Sequence, residues 1–243
     1  MPLLPIVAGG PGQQFNVSDN QAGHPLGNVM YFADGRRFAY GRAGATALVG
    51  GNLCQQTLND ANFDSLVVPT ARAIGEKTVT LTTGSTAVTT DQLKDGYVVP
   101  EDDAGEGITY TVKSNAAAAT TAALTIELLE GLILAWTTAT TVGIFANPYS
   151  VIIRHPAPAT AFLVGVAAGP ITASDYGWLQ TWGPCVVLTE GTVVINEGVI
   201  DSATADGAVA PTASTAAGEE NYVGVTMEVG PTTEHSLIYL RMA

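Results

Sequence analysis

Apolar and polar positions alternate with a period of two in short runs along most of the chain, the spacing that turns one face of a β-strand to a core and the other to water. The clearest run is Lys77 to Thr83, where Val79 and Leu81 share one side and β-branched threonines take the other. Leu124, Ile126 and Leu128 alternate with Thr125 and Glu127 in the same way until Gly131 interrupts the run. From Val29 to Gly44 two aromatic-bearing stretches flank Asp34-Gly35, a dipeptide suited to the positive φ angles of a tight hairpin. Further strands are expected at Tyr97 to Val99 and Ile108 to Lys113, with turns at Gly84-Ser85, Glu190-Gly191 and Asp206-Gly207. Ala116 to Ala123 fits a short helix or a loop, because alanine favours helix and Thr120-Thr121 opposes it. Leu163–Ala167 and Tyr222–Thr226 share a Val-Gly-Val core and read as strands that could pair with each other.

Short strands at intervals of about 8–12 residues indicate an all-β chain built from β-sandwich or barrel-like units. Residues 1–30 carry Pro2, Pro5, Pro11, Pro25 and Gly9-Gly10 without a sustained period, so an extended N-terminal arm is expected, mobile or laid over a neighbouring surface. The main β domain is expected over 31–72 and 156–243, with a β-rich subdomain inserted over 73–155. Pro156 and Pro158 lack backbone donors and mark its downstream boundary.

Composition narrows the function. Only 13% of residues are charged, and 9 Lys and Arg against 22 Asp and Glu give a formal charge of −13. That sign repels nucleic-acid phosphates and anionic lipid headgroups, keeps a charge-poor surface soluble, and favours basic protein partners. The most apolar window, Ala116 to Trp136, contains Glu127 and Glu130; acidic groups at mid-membrane cost about 2.5–3.5 kcal/mol each, so no membrane span is expected. The N-terminal stretch lacks the basic start and apolar run of a secretory signal, so synthesis and use without such export is the simpler expectation. Cys54 and Cys185 have no metal-finger spacing; one long-range disulfide is open to them.

No nucleophile elbow, phosphate-cradling loop or dinucleotide fingerprint occurs, and the glycines between Gly41 and Gly51 lack the lysine and hydroxyl that would meet phosphate. His24, His155 and His235 are scattered. Glu101-Asp102-Asp103 with Glu106 offers hard oxygen ligands for calcium, but without the order of an EF-hand loop, so a solvated turn is the preferred reading. Trp178 and Trp182, four apart in a strand, are expected to face the same side as core or interface residues. Glu219-Glu220 reads as a charged loop. No catalytic, cofactor-binding or metal residue is assigned.

Two stretches carry a resemblance: LKDGYVVPEDDAGEGITYTVKSNAAA running on to FANPYSVIIRH, and GVAAGPITASDYGWLQTWGPCVVL running on to VVINEGVI, DGAVAPT and YVGVTMEV. Over roughly residues 40 to 240 the chain resembles the capsid decoration, or cement, proteins of tailed bacteriophages. The resemblance implies a non-enzymatic virion protein with jelly-roll or β-tulip type units, made in the host cytoplasm and placed on the capsid exterior. It implies a homotrimer that cross-links neighbouring copies of the major capsid protein and needs no cofactor. The alternative expectation is a tail fibre or spike module that binds a host receptor or glycan.

Overall fold

The computed structural model describes residues 7–21, 23–212 and 221–242. It is nearly all β, with two sheets of eleven and six strands. The chain divides into two compact units, one formed by residues 1–58 and 148–243, the other by Asn59–Asn147. The inserted unit therefore begins and ends earlier than 73 and 155. Two pairings explain the shift: β5 (Leu66–Val67) pairs with β10 (Thr141–Phe145) of the inserted unit, while β11 (Ile152–Arg154) pairs with β4 (Leu53–Gln56) of the outer unit. Pro156 and Pro158 follow β11 without parting the units.

The inserted unit is a nearly closed barrel. Its remaining strands are β6 (Thr78–Thr82), β7 (Tyr97–Asp102), β8 (Tyr110–Asn115) and β9 (Ala123–Leu128), in the order β5-β10-β7-β8-β9-β6. β6 and β5 lie close together and complete the ring. The period-two pattern does what it predicted, since Val79, Leu81, Leu124, Ile126 and Leu128 are fully buried in one core with Val98, Val112 and Trp136. Ala116 to Ala122 forms a loop entering β9.

The outer unit begins with β1 (Val7–Ala8), parallel to β2 (Val29–Tyr31), which forms the expected hairpin with β3 (Arg37–Arg42) around Gly35 at φ 87°. Of the expected arm, residues 1–6 lie outside the described residues. The part from Val7 onward lies on the outer unit itself, through β1 and through reciprocal hydrogen bonds between Ser18 and Tyr176. The other strands are β12 (Leu163–Ala167), β13 (Tyr176–Leu188), β14 (Gly198–Asp201), β15 (Val209–Pro211), β16 (Tyr222–Thr226) and β17 (His235–Arg241). The two Val-Gly-Val strands do not pair: β12 lies between β4 and β13, and β16 between β14 and β17.

Six outer strands follow the order β4-β12-β13-β17-β16-β14, antiparallel at every step. The order β7-β8-β9-β6-β5-β10 around the barrel has the same succession of neighbours, antiparallel wherever the strands are paired, with β6 beside β5 where the ring closes. Along the chain the two differ in one respect: β16 and β17 come last in the outer unit, while their counterparts β5 and β6 come first in the inserted one. The units share one topology in circularly permuted order.

A repeated loop builds both. Four isolated antiparallel bridges, Leu48 with Ile171, Val193 with Gly230, Arg72 with Trp136 and Val88 with Ala118, join loops that lead into strands, two pairs to each unit. Three residues after the bridge the backbone turns left-handed, at Gly51, Ser174, Asn196, Thr233, Gly75, Asp91 and Thr121, with Ala139 the exception. That residue reaches across to the partner loop: Gly51 N–H donates to Ala167 O, Asn196 to Thr226, Thr233 to Thr189 and Gly75 to Leu132. Main-chain donors that leave a ladder at a barrel rim find acceptors this way.

Threonine at a left-handed position costs roughly 1–2 kcal/mol in steric strain, whereas glycine there costs about 0.5–1 kcal/mol in entropy. Thr121→Gly and Thr233→Gly are therefore expected to raise stability by up to about 1 kcal/mol each, read from urea midpoints. Ile126→Ala is expected to lower it by about 2–5 kcal/mol on the same scale.

Candidate interaction surface

The equivalent loop pair of each unit presents apolar side chains to solvent. In the outer unit these are Val194 and Ile195 on the loop before β14, and Met227 and Val229 on the loop before β17. In the inserted unit they are Ile74 on the loop before β6, and Ile133 and Leu134 on the loop before β10. Ile74, Ile133, Ile195 and Val229 keep 67, 61, 63 and 61% of their surface exposed. The paired hydrogen bonds bring them together, because Asn196 N–H meets Thr226 O beside Met227, and Gly75 N–H meets Leu132 O beside Ile133.

These tips are braced. Ile74-Gly75-Glu76 and Ile195-Asn196-Glu197 have the same build: the glutamate carboxylate turns back to accept from the N–H of Ala73 or Val194, at 3.1 Å in both, and its own N–H donates to the carbonyl of that residue at 3.2 Å. An isoleucine held on a closed turn has little backbone freedom left to lose on docking. Burying such a side chain stabilises a contact by about 1.5–3 kcal/mol. Apolar groups gathered at one place on a surface mark interaction sites more often than isolated ones do.

Acidic residues elsewhere also accept from main-chain N–H groups, in strands as well as in turns. Glu130 accepts from Thr111 N–H, Glu228 from Leu237 N–H, Asp60 from Asn62 N–H and Asp206 from Ala157 N–H. Much of the negative charge is therefore structural.

The candidate calcium residues diverge. Glu101 leaves the loop to accept from the N–H and Oγ of Ser65, lying over Gly143, where an added Cβ would come 2.1 Å from Oε1. Burial and the adjacent Asp64 carboxylate push the Glu101 carboxyl above its ordinary range, against the hydrogen bonds from Ser65. Asp103 accepts from Thr137 Oγ1, which holds its carboxyl below the usual range. Asp102 accepts from the N–H of Asp103, and Glu106 is exposed. Among the described residues no three His, Cys, Asp or Glu side chains converge to hold a metal ion.

His24 packs edge-on against Tyr40 and Trp178, and the ring nitrogens of buried His155 face the carbonyls of Pro156 and Ala208 at 2.7 and 2.8 Å. His235 lines a cleft of about 360 Å³ in the outer unit with Gln14, Phe15, Arg36, Phe38 and Cys185. Its cysteine is not an activated nucleophile. Burial pushes both the Cys185 and the Cys54 thiols up to about 12, and both are free. Trp178 and Trp182 do not share a face: a bulge after Gln180 inserts one residue, so Trp178 joins Phe38 and Tyr40 while Trp182 sits over Arg37 and against Tyr239. Glu219-Glu220 lies outside the described residues.

No family model, no curated protein and no solved structure matches the chain.

The tip residues escape a reading by period because they fall between strands. The usable signal was the tripeptide Ile-Gly-Glu at 74 and Ile-Asn-Glu at 195, in which a residue tolerant of left-handed backbone is followed by a carboxylate.

Two measurements check this chemistry. A thiol reagent at pH 8 is expected to label neither Cys54 nor Cys185 in the folded chain and both after unfolding; rapid labelling of the folded chain contradicts the burial. For Glu101, a carboxyl raised in the fold favours the folded state below its unfolded value. That contribution is lost as pH rises from the unfolded value through the folded one. Glu101→Gln is thus expected to be more stable than the parent at pH 7 and near parity at pH 4, as thermal midpoints would show.

Proposed function

We propose that the chain is a non-catalytic virion protein that binds the outside of an assembled phage capsid and ties neighbouring major capsid subunits together as a homotrimer. The observation that carries this reading is the presentation of braced apolar tips on the equivalent loop pair of both units. Such tips suit contact with another protein surface better than capture of a small molecule. The resemblance in the stretches around 93–155 and 165–229 names the class of partner, and the charge of −13 favours a basic patch on it.

Stabilisation would follow from differential affinity. A ligand shifts an equilibrium only as far as it binds one state better, so the chain must prefer the mature lattice to the disassembled or immature one. At a free concentration a hundred times Kd, each occupied site stabilises the bound state by about 2.7 kcal/mol.

Purified chain added to undecorated capsids is expected to bind at a fixed stoichiometry and raise their disruption temperature. Failure to bind any capsid ends this reading. Binding to host cells in its place favours a fibre or spike module.

A further inference from the structure

We infer that each unit carries a separate docking head for the same kind of surface, an apolar recess edged with lysine or arginine, so that one chain bridges two copies of its partner. The inference rests on the capsid reading only for the partner's identity.

Three observations carry it. First, the exposed apolar side chains stand on the loop pair at the same place in the shared strand order: the loops before β14 and β17 in one unit, and before their counterparts β10 and β6 in the other. The core pattern does not require them there, since both units fill their cores with other residues. Second, each head has an isoleucine one residue before the left-handed position and a glutamate one residue after it, closing the same turn. The same closed turn thus stands in each head, on the loop before β14 in one and before β6 in the other, and leaves its isoleucine in solvent in both.

Third, the charge around the tips selects the partner. Glu197, Glu228 and Glu234 flank the outer head, and no lysine or arginine occurs anywhere between Arg154 and Arg241. Around the inserted head stand Glu76 and Glu130 with two cations, Arg72, which lies 3.6 Å from Glu76, and Lys77, whose Nζ donates to Leu129 O at 3.0 Å. A second copy of this chain would bring its own −13 against these carboxylates, so self-docking through the heads is disfavoured. A surface with an apolar recess matches the tips of both heads, and a basic rim on it matches the acidic surroundings of the outer one. A partner that repeats, as a lattice does, supplies two such recesses, and the second contact then forms at high effective concentration.

The test pairs Ile74→Ser/Ile133→Ser in one head with Ile195→Ser/Val229→Ser in the other, at exposed positions where serine leaves the core untouched. Circular dichroism confirms the fold of each variant. Binding to undecorated capsids is expected to weaken on the order of a hundredfold for either single-head variant, to vanish for the combined variant, and to fall with added salt for the parent. Either single-head variant binding like the parent, or the combined variant binding at all, overturns the two-headed inference. Retention on an alkyl-amine resin reports the heads without a capsid, and each variant is expected to elute earlier than the parent. If the parent binds no capsid while the resin shows both heads, the capsid reading falls and the head chemistry stands; unchanged retention overturns the inference whatever the capsid does.

Discussion

The structure depends on the reciprocal main-chain hydrogen bonds between paired loops at the sheet ends of both units. A strand leaving a sheet exposes donors and acceptors that its neighbours no longer satisfy. Here the next strand enters through a loop that bridges once to its partner, turns left-handed and donates back across the gap, as Asn196 does to Thr226 and Gly75 to Leu132. This sets where each strand begins. Residues at the left-handed step must tolerate it, so Gly, Asn, Ser, Asp and Thr occupy those positions.

The same loops explain the acidity of a chain with few charges. Carboxylates at Glu76, Glu197, Glu130 and Glu228 accept from backbone N–H groups that strand pairing leaves over, and a hydrogen-bonded carboxylate fixes a turn more firmly than a neutral acceptor. Negative charge thus collects around the rims, where apolar side chains also protrude. At Ile74-Gly75-Glu76 and Ile195-Asn196-Glu197 a carboxylate and an apolar tip arise together because both belong to the turn.

Two units with one strand order, permuted along the chain, let a single chain present that loop pair twice. The insertion of one unit between β4 and β11 of the other leaves both strand orders intact, because strand neighbours are set by pairing and not by chain order. Potentially reactive groups do not converge: the thiols are buried, His155 is held between carbonyls, and the 101–106 carboxylates point to different partners.

What the sequence determined was local. Alternation at 77–83 and 124–128 specified strands with the correct buried face, Asp34-Gly35 specified a hairpin, and the many short runs specified an all-β chain, because side-chain direction in a strand has a fixed period and tight turns demand particular residues. Pairing was decided by tertiary structure. Two like Val-Gly-Val strands found different neighbours, one bulged residue put Trp178 and Trp182 on opposite faces, and the inserted unit took in residues 59–72 because Leu66–Val67 pairs with Thr141–Val142. The tips lay beyond reach for the same reason: an isoleucine before Gly-Glu or Asn-Glu announces a turn, but only a partner loop distant in the chain decides whether it is covered or left in solvent.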